Sequence, residues 1–515
     1  MKPFNESRID LFFPVIFLLL AAAYIIWTWN CELAGMGGDN AVYLLTAKYY
    51  SPWSSSSDLA EHFALRSQYP PLYPLILGLF GGGDSVLMAH LITTGFFLLI
   101  LLAFRMWLLT LGIGRLTANL AVILFALLPG TVKTAMFVWS ENLFLLFTLL
   151  VFAMTARFEE KNRSLSLLVA AFLIIGATLT RTAGISLVAA FLVYLFFKRP
   201  KGGLVIGLFA TFPVLISILM KNFATASKGT GYLEAFIAHY REAPVSKLIA
   251  QVNIESNALW KGWLSNFEPG ALSLLITFFL ILCLMGLVIG FYQRRLDSFY
   301  LFFYFLIILV WPYPAEAKRL MYAVIPILMG QGVLFLNQLT RLAIERRSFQ
   351  PAAILLFVLL VISLPGTIFM AGRFIQPVPP EMQNYKRNKY FYLSDPMAAM
   401  AQTLNVKVLF EDLRSLDSKL PTNALIYGVK PSIIAFHANR LTLKAPGPNS
   451  DWDSFFKNAA PDSTYFYLMG TTSPANKIPY YPLALIRNRL DILNIVKPYE
   501  ASNAPVVAML ARVRN

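Results

Sequence analysis

Two carboxylates and a set of cations stand where an apolar chain has little reason to carry charge. Asp39 lies in GMGGDNAVYLLTAKYY (35–50) and Glu141 in FVWSENLFLLF (137–147). Arg181 lies in LTRTAG (179–184), and Lys318 and Arg319 in WPYPAEAKRLMYAVIP (311–326). A carboxylate near a sugar acceptor can take the proton from an attacking hydroxyl as general base. Grouped cations can hold the negative charge that collects on a departing phosphate. A phosphate leaves as a stable anion and needs no acid to protonate it. A glycosidase, which expels an alcohol, needs a second carboxyl for that purpose. The residue types therefore suit transfer of a sugar from a lipid phosphate to a hydroxyl, by direct attack that inverts the anomeric centre.

Each residue also has a plainer reading. Gly35, Gly37 and Gly38 allow close backbone approach, and Asp39 could simply cap the segment NAVYLLTAKYY that follows. That segment is apolar on nearly every side, with Tyr43, Lys48, Tyr49 and Tyr50 as the amphipathic exceptions, which suits a short helix in the membrane interface. Glu141 could serve only the dipole of a helix begun by Ser140. Arg181 and Arg319 could snorkel to lipid head groups. In YPPLYPLIL (69–77), Pro70, Pro71 and Pro74 fix a rigid entry to a helix and hold Tyr69 and Tyr73 beside it. Asp39, Glu141 and His62 could gather a divalent metal, although no tight ligand spacing of the HExxH kind is present.

The elements that must position these residues are membrane helices. Of 515 residues, 57% are hydrophobic and 14% charged, too apolar for a soluble globular chain of this length. Eleven apolar spans are predicted near 10–30, 86–111, 115–130, 142–156, 165–180, 184–197, 203–220, 271–292, 298–312, 320–338 and 351–372. The first lacks a cleavage motif and reads as an uncleaved helix. Arg157, Lys161, Arg163, Lys198, Arg199, Lys201, Arg294, Arg295, Arg341, Arg346 and Arg347 fall on one side. By the excess of cytoplasmic cations, this side is the cytoplasm, the N-terminus is inside and the C-terminus outside. Asp39, Lys48, His62, Arg66, Glu141, Arg181, Lys318 and Arg319 then share the outer side. The net charge of +16 is largely this cytoplasmic excess and calls for no nucleic acid. Cys31 and Cys283 make no disulfide framework.

Residues 31–85 and 221–269 read as long outer loops, the second with Trp260 and Trp263 as interface anchors. A transmembrane domain over 1–372 is expected, followed by an outer domain over 373–515 behind a linker at Pro377, Pro379 and Pro380. Strand-like stretches at 424–428, 463–470 and 504–513, with helical stretches between them, predict a small α/β or α+β module. Its 17 Lys and Arg against 10 Asp and Glu could favour anionic lipid or merely keep it soluble.

The order of these motifs resembles the integral-membrane glycosyltransferases of the GT-C class, in particular the protein O-mannosyltransferases and the bacterial transferases that place aminoarabinose on lipid A. GGDNAVYLLTAKYY, YPPLYPLIL, WSENLFLL, LTRTAG and KRLMYAVIP carry the likeness, over about residues 9–340. Asn40 stands where the family often has a glutamate, Tyr69 where the aminoarabinose transferases have a lysine, and Leu320 where a tyrosine often follows the arginine. The resemblance implies a mainly α, polytopic GT-C fold with a C-terminal extracytoplasmic α/β domain, in a bacterial inner membrane. It implies Asp39 as catalytic base, Glu141 assisting, and Arg181 and Arg319 near the phosphate of a polyprenyl-phosphate-linked sugar, with Lys48 and Lys318 as further cations. Tyr43, Tyr69, Tyr73 and His62 complete the expected substrate-binding set. The acceptor would be an envelope lipid, a glycan or a protein, and no metal is expected to be obligatory. A transporter or flippase of lipid-linked sugars is the main rival. It would show inverted repeats and midplane charges, neither of which the sequence displays. An O-antigen ligase or polymerase would place its key cations in a large late outer loop.

Overall fold

A computed structural model describes the chain except residues 1–5, 30–37, 55–56, 68, 135–136, 162, 224–235, 238, 242–243, 268–271, 344–349, 376–395, 448–449, 470–485, 499–505 and 515. Gly35, Gly37, Cys31, Arg346, Arg347 and the prolines at 377, 379 and 380 lie outside the described residues. The protein is a mainly helical, multi-pass membrane bundle carrying a small C-terminal sheet.

Five helices are long and apolar enough to cross a membrane: α1 (Glu6–Trp29), α5 (Val86–Thr110), α8 (Glu141–Lys161), α13 (Ser273–Tyr292) and α17 (Pro351–Ile375). Shorter apolar helices pack among them: α6 (Arg115–Leu127), α9 (Ser164–Thr180), α10 (Gly184–Lys198), α11 (Gly203–Phe223) and α14 (Leu296–Leu309). The window that makes α8 a candidate span is 72% buried, against 22% for α1, so α8 runs through the centre of the bundle and α1 lies at its edge. Outward-facing side chains such as Leu18, Phe172, Leu274 and Val288 are exposed. That is how a lipid-facing surface looks when no lipid covers it.

The stretch expected as one span at 320–338 is instead broken. A 3₁₀ turn (Pro314–Glu316) and α15 (Ala317–Tyr322) meet α16 (Ile325–Ala343) at a bend of 59°. Pro326 explains the break. It has no N–H to donate, and its ring would collide with the carbonyl of Tyr322 in a continuous helix. The bend swings Arg319, on the short first piece, over the ends of α8 and α9. The region 221–269 also differs from a plain loop, because α12 (Pro244–Phe267) fills much of it. Trp263 is no interface anchor. It is fully buried, its indole N–H donates to the Ile276 carbonyl at 3.2 Å, and its ring packs on Phe267 and Phe279.

Between α1 and α5 lie α2 (Gly38–Tyr50), α3 (Asp58–Arg66) and α4 (Leu72–Leu79). The α2 helix is buried at Asn40, Ala41 and Tyr43 to Ala47, so it is covered by protein instead of lying on lipid. Gly78 lets α4 come this close: a Cβ there would sit 2.4 Å from the Ala47 carbonyl oxygen. Gly78→Ala must therefore push α2 aside, and Asp39 with it. We expect a fall of several degrees in the Tm of the purified protein and at least about a tenfold loss of turnover. A variant with wild-type Tm and turnover would show that α2 need not be held so tightly.

The C-terminal part contains α18 (Pro396–Lys419), β1 (Leu425–Gly428), α19 (Pro431–Ala438), β2 (Thr442–Lys444), α20 (Trp452–Asn458), β3 (Thr464–Met469), β4 (Leu490–Val496) and β5 (Ala508–Val513). The sheet order is β2-β1-β3-β5-β4, with β1 parallel to β2 and β3, and β5 antiparallel to β3 and β4. This is the anticipated α/β module, with β2 and β4 added to the three strands read from sequence. It also shares a core with α2 and α4. Ala41, Leu44, Tyr73 and Leu77 pack in one buried cluster with Leu409, Phe410, Ile433 and Tyr467.

Candidate active site

Glu141 opens α8 and Arg181 directly follows α9. The two helices run antiparallel, so both residues come to the same end of the bundle. The cationic end of α8, at Lys161, lies about 30 Å away along the helix, which is the thickness of a bilayer core. There Glu159 pairs with Lys198 at 2.7 Å. One end thus carries the candidate site and the other the loop cations.

Asp39 occupies the first turn of α2, one residue inside the helix that begins at Gly38. Its Oδ1 accepts a hydrogen bond from the Tyr69 hydroxyl at 2.6 Å, and its Oδ2 accepts from Nη1 of Arg319. Arg319 also donates through Nε to Oε1 of Glu141, and through Nη2 to Oε2 at 3.3 Å. Arg181 Nη1 lies 2.6 Å from Oε1 of Glu141 and 3.2 Å from Oγ of Ser140. One guanidinium therefore bridges two carboxylates from different segments, and a second guanidinium closes the group. The Arg319 guanidinium carbon also lies 4.3 Å from the centre of the Trp139 ring, an added attraction for a cation out of water.

Exposure separates the two acids. The side chain of Asp39 keeps 27% of its surface accessible, while that of Glu141 keeps 1%. Asp39 can meet a substrate. Glu141 sits beneath the arginines and sets where they stand. Burial pushes the Asp39 carboxyl upward, but the Arg319 charge, the hydrogen bonds from Arg319 and Tyr69, and the Arg181 charge together hold it below the usual carboxylate range.

The tyrosines play different parts. Tyr69 touches the acid directly. Tyr43 is buried, shares a 2.8 Å hydrogen bond with Ser140, and stacks near Tyr69 and Tyr73 with ring centres 5.0 Å apart in each case. Burial pushes its phenol up to about 12. Tyr73 is fully buried and bonds Thr93 at 2.8 Å, so it buttresses Tyr43 and lines no surface. The remaining expected residues fall outside the cluster. His62 sits on α3 against Phe63, 3.4 Å from Arg66. Lys48 lies nine positions along α2 from Asp39, about 13 Å. It lines a cavity of about 190 Å³ with Leu44, Asp84 and Phe436. Lys318 donates to the Ser265 carbonyl at 3.1 Å.

Asp39 and Glu141 are two of the three residues that could gather a metal, and Arg319 bridges them, while His62 lies apart on α3. Among the described residues no group of three His, Cys, Asp or Glu side chains gathers to bind an ion. Trp139, Ser140 and Glu316 belong to the site although the sequence reading gave them no role there. Trp139 and Ser140 immediately precede Glu141, and that closeness in the chain was the available signal.

No family model and no curated protein matches this sequence. Solved structures do match. ArnT from Cupriavidus metallidurans bound to undecaprenyl phosphate has a TM-score of 0.52 at 13% identity, covering 99% of this chain and 98% of that one. The same protein in the apo state gives 0.52 at 14% identity, covering 98% of each. The archaeal oligosaccharyltransferase AglB from Archaeoglobus fulgidus, in complex with an inhibitory peptide and a dolichol-phosphate, gives 0.51 at 11%, covering 89% of this chain and 69% of that one. Both proteins are GT-C glycosyltransferases. At this identity the likeness establishes the fold: the chain has the GT-C architecture, from its first helix into the C-terminal sheet.

Proposed function

We propose that the protein is an inverting glycosyltransferase that moves a sugar from a polyprenyl-phosphate carrier to an acceptor hydroxyl at the outer face of a bacterial inner membrane. One observation carries the reading: an accessible carboxylate, Asp39, is hydrogen-bonded to Tyr69 and faces two arginines held by a buried acid. Asp39 takes the proton of the acceptor hydroxyl as its oxygen attacks the anomeric carbon. The bond from that carbon to the phosphate oxygen breaks, its electron pair stays on the phosphate, and the configuration inverts. Arg319 and Arg181 stabilise the charge gained by the leaving phosphate. Glu141 is a positioning residue that orients both guanidiniums. The undecaprenyl phosphate and dolichol-phosphate found with the two structural neighbours are carriers of the proposed kind. The loop cations at the far end of α8 support a cytoplasmic N-terminus and an outer C-terminal domain. A divalent ion between the carboxylates would displace Arg319, and the proposed transfer has no step that requires one.

The direct test is release of polyprenyl phosphate by purified protein given a polyprenyl-phosphate sugar and a candidate acceptor. A broken helix such as α15–α16 also occurs in transporters. Movement of intact donor across liposomes without cleavage would favour that rival.

The depressed Asp39 carboxyl makes a second prediction. Its folded value lies below its unfolded one, so the carboxylate, and the stability it gains from Arg319, is present at higher pH. Both are lost only as pH falls through the depressed value. The acid limb of kcat/KM should therefore lie below about pH 4. A single acid limb between about pH 6 and 7 would assign the base to another group.

A further inference from the structure

The C-terminal domain reaches the site. Helix α19 packs on α2, and Oγ of Ser432 donates to the Gly38 carbonyl at 3.1 Å. Lys430, which caps α19, lays its side chain over Gly38: a Cβ on that glycine would lie 3.9 Å from Cδ of Lys430. Asp39 is the next residue. The Lys430 ammonium interacts electrostatically with Asp39 and Glu316, yet it forms no ion pair among the described residues. Burial holds it below the usual lysine range despite those acids. Arg181 and Arg319 are differently placed, because both are already committed to Asp39 and Glu141.

Counting the acids around the site gives Asp39, Glu141 and Glu316. The cations Arg181 and Arg319 balance two of them, and Lys430 is the third. It is also the one of these three cations that makes no ion pair among the described residues. A substrate that brings an oxyanion toward Asp39 would come beside Lys430 as well as the two arginines. We propose that Lys430 is a specificity-determining residue of the transfer site, through which the C-terminal domain binds a phosphate-type oxyanion carried by a substrate. This rests on the transferase reading above. The oxyanion belongs either to the lipid carrier or to an acidic acceptor.

The test follows the reactivity of Lys430 in the full-length protein toward an amine-acylating reagent, read by mass spectrometry. The probes are undecaprenyl phosphate in detergent micelles and inorganic phosphate. If the carrier supplies the oxyanion, undecaprenyl phosphate alone slows labelling about tenfold. If an acceptor supplies it, undecaprenyl phosphate leaves labelling unchanged, and inorganic phosphate protects the carrier-loaded protein. In either case Lys430→Met weakens the protecting probe's binding about tenfold, and Lys430→Arg restores most of it. Labelling unaffected by both probes overturns the proposal, as does a Lys430→Met protein of unchanged Tm that binds both normally. Protection of Lys430 in a protein that transfers no sugar would keep the anion site and sink the transferase reading. Transfer without protection would do the reverse.

Discussion

Asp39→Asn is expected to lower turnover by roughly 10²- to 10⁴-fold, the usual contribution of a positioned general base. The amide is nearly the same size: its oxygen can accept from Arg319 while its NH2 donates to the Tyr69 hydroxyl oxygen, so the fold has little cause to change. What it loses is the ability to take a proton. Undecaprenyl phosphate should bind the variant at least as well as wild type, because one negative charge has gone from beside Arg319. The pair of measurements is release of polyprenyl phosphate and equilibrium binding of the carrier. Full turnover in Asp39→Asn would remove the base from the scheme. Lost turnover together with lost carrier binding would make Asp39 a structural residue.

The second large effect concerns Glu141. Its carboxylate is 1% exposed and receives hydrogen bonds from Arg319 and an ion pair from Arg181. Glu141→Gln leaves Arg181 buried without its counter-charge, and Arg319 with only Asp39. Breaking a buried ion pair from one side typically costs about 3–5 kcal/mol. The purified variant should therefore show a clearly lower Tm as well as lost turnover, which sets it apart from Asp39→Asn. The single variant Arg181→Met and the double variant Glu141→Gln/Arg181→Met complete the cycle. If the stability loss is mostly the unpaired charge, the double variant should regain part of it. A Glu141→Gln protein as stable as wild type would mean that water reaches Arg181 freely.

Much of this site was legible in the sequence because membranes make charge conspicuous. Glu141, Arg181 and Arg319 stood out as ionisable groups at span ends and Asp39 as the carboxylate after a glycine cluster, and the structure brings all four into one cluster. Lys48 and His62 shared the same side but not the cluster. Sidedness fixes only which end of the bundle a residue occupies, whereas nine positions of helix carry Lys48 far along α2. Tyr69 was picked out by its place before the prolines, and its bond to Asp39 depends on a chain reversal that no local pattern encodes. The fold was read in outline, since long apolar runs are strong signals. The break at Tyr322–Ile325 was missed because the apolar run from Leu320 continues through it, and only Pro326 marked it. Lys430 lies 391 positions from Asp39 in the chain. Its approach depends on the packing of α19 against α2, which no spacing rule could disclose.

The placement of β5 between β3 and β4 bears on the order in which the molecule becomes competent. During synthesis the helices of the bundle emerge first, and strands β1 to β4 follow. The sheet cannot close until residues 508–513 have slotted into its middle. Ile433 and Tyr467, from that same sheet domain, share one buried cluster with Ala41 and Leu44 of α2. An interrupted chain would then hold a nearly whole bundle beneath an unfinished lid. Completion of the domain that packs on α2 would then be timed by residues 508–513, and a chain halted before them should insert yet stay idle.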